Sequence, residues 1–198
     1  MISLAGKLLS RGGVIVYPTE TFYGLGGSPQ LPEVPERVYR IKGRELSKPF
    51  PLIASSMEVV LRAIAQWPIC AEILSHTFWP GPLTLVLQAA PHIPTAIHAN
   101  TGKIAVRISS HPVAQALAEE AGGLLIATSA NLAHHRACRT TSELHEELLA
   151  GIDGLVDAGP SGGHLNGLPS SVVDVSGVAP KLIRAGCIPW EKLMQAMR

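Results

Sequence analysis

Short apolar runs rich in valine, isoleucine and leucine recur along the whole chain, separated by segments with helical periodicity. Such runs, bounded by glycine and proline, are typical of buried strands. They predict strands at 14–17, 51–54, 83–88, 104–108, 124–128, 154–156, 171–175 and 181–184. The intervening segments predict helices at 33–42, 57–65, 69–78, 112–121, 141–150 and 189–197. No apolar run approaches the roughly 18 residues of a transmembrane helix, so we expect no membrane association.

The order of these elements predicts one α/β domain of the α+β type, spanning residues 1–198, with a twisted mixed sheet flanked by helices. A proline-rich loop, not a helix, joins 83–88 to 104–108, and 171–175 lies close enough to 181–184 for a hairpin. Both features break the regular alternation of a purely parallel, doubly wound sheet. A chain of 198 residues can also bury about 70% of its unfolded surface, enough for a core without disulfides.

The charge and cysteine content restrict the environment and the partners. The formal net charge is only +1, so no global field attracts the chain to nucleic acid or to a membrane, and any basic site must be local. Three widely spaced cysteines argue against a disulfide framework, and the N-terminus is too short and interrupted for a signal peptide. We therefore expect a cytoplasmic protein.

The segment 12–27 joins an apolar strand to a glycine cluster through a short polar stretch. Pro18 ends the strand, and Thr19, Thr21 and Tyr23 follow within a few residues. In α/β folds, hydroxyls and glycines at a strand end commonly face a small ligand. An ordinary turn after a strand explains the same pattern, and the spacing does not separate the two interpretations.

The densest basic run surrounds the predicted end of helix 33–42. Gly43 is a good residue to end the helix, which places Lys42 and Arg44 at its exit and Lys48 on the loop into strand 51–54. Cations at a helix C-terminus also complement its dipole, so Lys42 alone has a structural explanation. Three cations around one short loop fit phosphate binding better.

Further polar residues interrupt or end the other apolar strands. Arg107 lies inside the strand 104–108, where a buried arginine needs an anion, either an internal Asp or Glu or a substrate carboxylate. Hydroxyl, amide and guanidinium groups occur at three further strand ends, at Thr128, Ser129, Asn131, Ser170, Ser171 and Arg184. No metal site is predicted, because His134, His135 and Cys138 have no fourth ligand nearby.

Taken together, these segments resemble the YrdC/YciO family, which includes the threonylcarbamoyl-AMP synthases. The matching elements run in family order: Tyr17-Pro18-Thr19-Glu20-Thr21 with Tyr23-Gly24-Leu25-Gly26, Lys42-x-Arg44 with Lys48, Pro80-Gly81-Pro82-x-Thr84, Val106-Arg107, Ser129-Ala130-Asn131, Ser170-Ser171-Val172-Val173-Asp174 and Arg184-x-Gly186. The resemblance implies a concave, positively lined cavity. It also implies a nucleotidyltransferase that uses ATP, L-threonine and bicarbonate to make threonylcarbamoyl-AMP and pyrophosphate. The product would pass to tRNA-modification proteins.

The resemblance also implies roles for individual residues. Lys42, Arg44 and Lys48 would bind the triphosphate and act in catalysis, with Mg²⁺ accompanying the phosphates. The amino acid and carbamate would be held by Thr19, Thr21, Tyr23, Arg107, Thr128 and Ser171, with Arg107 on the carboxylate. The nucleotide would be held by Ser129, Asn131 and Arg184 in addition to the three cations.

The chain departs from the family pattern after Ser129-Ala130-Asn131. The family usually has a Ser-Gly pair in a phosphate-contacting loop, and here those positions are Ala133-His134. This change keeps two alternatives open: a relative that binds nucleotide or double-stranded RNA without synthase activity, and a related carbamoyl-adenylate activity on another substrate. The chain also ends soon after the matched region, so we expect no extra C-terminal domain.

Overall fold

A computed structural model describes residues 1–43, 48–162 and 167–198 of the chain. Its α-helices are α1 Ile2–Leu9, α2 Glu33–Lys42, α3 Met57–Ala63, α4 Ile69–Phe78, α5 Thr95–His98, α6 Pro112–Glu120, α7 Glu146–Gly151 and α8 Trp190–Ala196. Its strands are β1 Ile15–Tyr17, β2 Gly24–Gly26, β3 Pro51–Ala54, β4 Leu83–Gln88, β5 Lys103–Arg107, β6 Leu124–Ile126, β7 Thr128–Ser129, β8 Gly154–Leu155, β9 Ser171–Asp174 and β10 Lys181–Arg184. Among the described residues, no helix is long and apolar enough to cross a membrane.

The strands form two mixed sheets. The larger has the order β10-β9-β4-β5-β3-β6 and the smaller β7-β2-β1-β8. Each sheet contains both parallel pairs (β3 with β5, β4 with β9, β1 with β8) and antiparallel ones, and β9 and β10 form the predicted antiparallel pair. The mixed α/β character is confirmed, although the strands divide between two sheets instead of forming one.

The two sheets meet where β6 passes into β7. The amide of Ala127 bonds to the Pro51 carbonyl of the larger sheet, whereas Thr128 pairs with Leu25 of the smaller one. This change of partner is why the predicted strand 124–128 is in fact two short strands. The seam brings strand ends from both sheets together.

Strand β1 and Val14, which precedes it, are buried on both faces. Val14 and Val16 pack into the larger hydrophobic cluster, whereas Ile15 and Tyr17 pack into a second cluster with α1 and α6. A strand covered on both sides reads as a continuous apolar run because successive side chains point to opposite faces. The run 14–17 therefore sits between two cores and fixes the position of the turn that follows it.

Several predicted boundaries need correction. Thr140 and Glu143 form a capping box, but it caps a single 3₁₀ turn, and the helix predicted at 141–150 begins only at Glu146. Helices α1 and α5 and strand β2 were not predicted from the sequence. Strand β2 resembles a loop in sequence because it is built on glycines; a Cβ on Gly26 would lie 1.9 Å from the carbonyl oxygen of Ile126.

Candidate functional site

An open cavity of about 280 Å³ lies at the seam between the two sheets. Its lining residues are Thr19, Thr21, Phe22, Tyr23, Gly24, Pro49, Pro51, Thr84, Ala105, Arg107, Ala127, Thr128, Ser129, Pro169, Ser170, Val172 and Arg184. Hydroxyl groups form much of its polar surface, and Arg107 and Arg184 supply positive charge. No aspartate or glutamate occurs among the described residues that line it. We call this cavity the seam pocket.

The turn after β1 presents two threonines to the seam pocket. The Thr19 hydroxyl donates to the Phe22 carbonyl at 2.6 Å and accepts from the amides of Thr21 at 3.1 Å and Phe22 at 3.3 Å. A hydroxyl that bonds its own backbone in this way stabilises a tight turn. The Thr21 hydroxyl lies 3.1 Å from that of Thr19. The turn is thus internally braced, with both threonines at the pocket wall.

Tyr23 anchors the loop after β8 to the same wall. Its hydroxyl lies 2.8 Å from both Oδ1 of Asp157 and the carbonyl oxygen of Gly159. Burial, followed by the hydrogen bond to Asp157, raises the pKa of Tyr23 to about 12. The Gly159 amide, then the hydroxyls of Tyr23 and Thr141, lower the pKa of Asp157. Tyr23 is therefore a neutral hydrogen-bonding group at the pocket over the physiological range.

Arg107 makes a buried ion pair with Glu20. Its Nε donates to Oε1 of Glu20 at 3.0 Å, and the two side chains are only 6% and 8% exposed. The second Glu20 oxygen accepts from the Ser109 hydroxyl. Arg107 thus has the internal acid that the sequence left as one of two alternatives. Because Arg107 also lines the seam pocket, and the described residues offer its two Nη groups no acceptor, the pair leaves a guanidinium fork at the pocket.

Glu20 is the residue of this group that the sequence analysis left without a role. An arginine inside an apolar strand signals that an acid must be near it, and Glu20 is the acid in the turn after β1. The contact itself joins residues 87 positions apart, so its partner was not evident from spacing.

Arg184 lies across the pocket against Ser170. Its Nε and Nη2 donate to the Ser170 carbonyl at 3.2 and 2.9 Å, and Nη2 also reaches the Ser170 hydroxyl at 2.9 Å. That hydroxyl lies 2.9 Å from the hydroxyl of Thr84. Burial and the positive charge of Arg107 both lower the pKa of Arg184. The two guanidiniums are therefore close enough to repel each other.

Ser171 does not reach the seam pocket. Its hydroxyl donates to the Ile188 carbonyl at 2.7 Å and accepts from the Ile188 amide at 3.0 Å, and the residue is fully buried. Neighbouring side chains on an extended segment point to opposite sides, so the preceding Ser170 faces the pocket instead. Of the predicted serine pair, the structure brings Ser170 to the site.

Lys42 ties helix α2 to the end of β7. The helix ends at Gly43 in a left-handed conformation with φ 58°, as the sequence predicted. The buried Lys42 ammonium donates to the carbonyls of Ser129 at 2.5 Å and Asn131 at 2.7 Å, and lies 3.4 Å from Oδ1 of Asn131. An ammonium has only three protons, so a phosphate would have to compete with these carbonyls for one of them.

The Asn131 side chain is also engaged within the protein. Its amide nitrogen donates to the carbonyls of Leu132 at 2.9 Å and His135 at 2.7 Å, which closes the loop that follows β7. Lys42 and Asn131 lie behind Ser129 and do not line the seam pocket. Lys48 is exposed beside Pro49, a lining residue, and Arg44 lies outside the described residues.

The loop after Asn131 borders a second cavity, of about 440 Å³. Its lining includes His135, Arg136, Arg139 and Glu143. His134 adopts φ +67°, a left-handed conformation that glycine takes without a steric cost. The backbone at the unusual Ala133-His134 pair thus keeps a shape suited to glycine. The described residues contain no group of three or more His, Cys, Asp or Glu that could hold a metal ion.

The chain matches one family over almost its whole length. A family model for Sua5, YciO and YrdC, described as telomere recombination, matches residues 7–186. A threonylcarbamoyl-AMP synthase of Alkalilimnicola ehrlichii is 36% identical over 177 residues, which cover 89% of this chain and 91% of the relative. Another of the same name from Pyrococcus abyssi is 31% identical over 97% of this chain and 56% of the relative. The chain therefore spans only a little over half the length of that second relative.

The fold agrees with the sequence match. The structure of P. abyssi Sua5 complexed with L-threonine has a TM-score of 0.93 to this one at 30% identity, covering 99% of this chain and 57% of that chain. The family model matches 180 of the 198 residues, and the similarity in fold covers 99% of the chain. The chain belongs to the Sua5/YciO/YrdC family.

Proposed function

We propose that this chain is an L-threonylcarbamoyladenylate synthase, a nucleotidyltransferase that converts ATP, L-threonine and bicarbonate into threonylcarbamoyl-AMP and pyrophosphate. The observation that carries the proposal is the seam pocket, with its two guanidiniums and hydroxyl-rich wall, on a fold shared with a Sua5 structure that contains L-threonine. The product would supply tRNA-modification proteins in the cytoplasm.

The proposed reaction requires positioning more than proton transfer. The threonine amine takes up CO₂ to give a carbamate, whose oxygen attacks the α-phosphate of ATP while pyrophosphate leaves. Holding two anions in line and neutralising charge on the phosphates are tasks for fixed cations and hydrogen-bond donors. A pocket with arginines and hydroxyls, and no acid among the described lining residues, suits that task.

Each residue has a role in this proposal. The Arg107 fork, held by Glu20, binds the threonine carboxylate, and Thr19, Thr21, Tyr23 and Thr128 form the wall around the amino acid and carbamate. Ser170 takes the place at the pocket that the sequence analysis assigned to Ser171. The nucleotide contacts Ser129 and Arg184, and its triphosphate is bound by the cations Lys42, Arg44 and Lys48.

Lys42 and Asn131 act mainly by fixing the backbone of residues 129–131, because their polar groups already bond that segment. Mg²⁺ would arrive with ATP and be held by phosphate oxygens and water, because the described pocket lining offers no carboxylate. RNA binding is an alternative use of the basic residues at the second cavity.

Pyrophosphate release from ATP, with and without L-threonine and bicarbonate, tests the proposal. Release that depends on both supports the synthase, and release with a different amino acid supports a related carbamoyl-adenylate activity. Folded protein that binds nucleotide or double-stranded RNA but releases no pyrophosphate would contradict the proposal in favour of the binding alternative.

The role of Arg107 is tested by Arg107→Lys, which keeps the charge that buried Glu20 needs but removes the fork. We expect threonine binding to weaken by about tenfold or more while ATP binding stays within about twofold, because loss of a bidentate contact costs more than about 1.4 kcal/mol. Arg62→Lys, on an exposed arginine of α3, is the matched control. Equal weakening of both ligands by calorimetry would contradict the role.

A further inference from the structure

The titratable groups at the seam pocket leave it with an excess of positive charge. Among the described residues, Tyr23, Arg107 and Arg184 are the lining groups that ionise, and the tyrosine stays neutral with its pKa near 12. Glu20 stands behind Arg107 and compensates one of the two guanidiniums. The pocket thus matches a ligand that carries one negative charge.

The nearby acids face away from the pocket. Both oxygens of Glu20 are occupied, one by Arg107 and the other by Ser109. Asp157 lies behind Tyr23, where its oxygens accept from Tyr23, Thr141 and the Gly159 amide.

Positive charge is also found beside the pocket wall. The Lys42 ammonium donates to the Ser129 carbonyl beside that wall. The Cys187 thiol near Arg184 adds no negative charge, because burial raises its pKa. Among the described residues, therefore, an ammonium in the pocket meets two guanidiniums and no carboxylate directed at it.

We propose that the seam pocket takes L-threonine as its aminocarboxylate anion, with the α-amino group neutral, so that binding releases a proton to solvent. The inference rests on the proposed function. A zwitterion brings an ammonium into a pocket that repels it, whereas the anion neutralises the excess charge of Arg107 and Arg184. The Thr21 hydroxyl can donate to the lone pair of a neutral amine, whereas the Thr19 proton is already donated to the Phe22 carbonyl.

The protonation state matters for the chemistry that follows. Only a neutral amine has the lone pair that attacks the carbon of CO₂, forming the N–C bond and releasing one proton to water as the carbamate forms. Bicarbonate supplies CO₂ by taking up one proton and losing water. From zwitterion and bicarbonate to carbamate and water, one net proton is released, and in this proposal the ammonium proton leaves at the binding step.

The test measures threonine binding to the full chain without nucleotide or bicarbonate, between pH 6.5 and 8.5. Calorimetry in buffers of different ionisation enthalpy counts the protons, and equilibrium dialysis with labelled threonine gives the affinity. We expect close to one proton released and an affinity that rises by about tenfold per pH unit below the pKa of the free amino group. The ligand control is 3-hydroxybutanoate, which lacks the amine and should bind with no proton release.

Two variants sharpen the result. Arg184→Gln removes one of the two repelling charges, so proton release on threonine binding should fall toward zero. Glu45→Gln controls for an acid outside the described residues and should leave the pH profile unchanged. A steeper profile in Glu45→Gln, or wild-type binding with a flat profile and no proton release, would overturn the inference.

The same measurements separate this inference from the proposed function. Threonine-dependent pyrophosphate release together with a flat binding profile removes the inference and leaves the synthase in place. If the folded chain neither binds threonine nor releases pyrophosphate, the proposed function fails and the inference fails with it.

Discussion

Removing the Glu20 carboxylate should destabilise the protein far more than removing a surface acid. Glu20→Ala leaves the Arg107 guanidinium, whose side chain is 6% exposed, without its ion-pair partner. Breaking a buried pair by deleting one partner costs about 3–5 kcal/mol. We expect the lower end, about 3 kcal/mol, because Arg107 also borders an open pocket where water can reach its outer amino groups.

The matched control is Glu58→Ala on α3. Glu58 pairs with Arg62 one helical turn away at 3.5 Å, but their side chains are 79% and 68% exposed. Exposed pairs of this spacing contribute about 0.3–0.5 kcal/mol. The two substitutions remove the same atoms, so the difference between them isolates the effect of burial.

Urea unfolding followed by tryptophan fluorescence measures both variants, since the chain has three tryptophans. For a domain of this size, about 3 kcal/mol corresponds to a melting temperature lower by roughly 6–12 °C. Adding Arg107→Met to Glu20→Ala should restore part of the loss, because it removes the unpaired charge. Equal losses for Glu20→Ala and Glu58→Ala, or a double variant whose losses simply add, would refute the reasoning.

Three further predictions follow from single positions. His134→Gly should raise the free energy of unfolding by roughly 0.5–1 kcal/mol in urea titrations, because His134 has φ +67° and glycine adopts it without strain; an unchanged or lower midpoint would contradict this. Tyr23 has a pKa of about 12 in the folded protein, above the ordinary value of about 10, so it contributes stability that is complete below pH 10 and is lost between pH 10 and 12. Tyr23→Phe should therefore lose less stability than the wild type across that range, and parallel curves would exclude the effect. Gly162→Ala should weaken threonine binding more than Gly177→Ala does, because a Cβ on Gly162 would lie 2.2 Å from the Thr21 carbonyl oxygen whereas Gly177 has open space; dialysis that finds equal affinities would count against it.

The regular elements were predictable where local signals were strong. Strands β3, β4 and β10 begin and end at the predicted residues, and α2 ends at Lys42 because Gly43 takes a left-handed conformation. Propensity, periodicity and caps act within a few residues, and here they agree with the tertiary structure.

The failures occur where a distant contact outweighs the local pattern. Strand β2 has glycines at positions 24 and 26 that allow close approach to Tyr17 and Ile126, so it lacks the apolar pattern of a strand. The run 124–128 is uniformly apolar up to Ala127, but its residues pair with two different sheets. Neither feature has a signal in the neighbouring sequence.

For the candidate site, the sequence by itself determined which chemical groups are present. It placed threonines after β1, an arginine that needs an anion within β5, and hydroxyls at the ends of β7 and before β9. Only the tertiary structure decided which acid holds Arg107, that Ser170 and not Ser171 faces the pocket, and that Lys42 bonds the backbone of residues 129–131. The Glu20–Arg107 and Lys42–Asn131 contacts join residues 87 and 89 positions apart, because two sheets meeting at a seam fix which side chains share a buried space. Local sequence specifies the strand that carries a side chain, but the packing of one sheet against the other selects its partner.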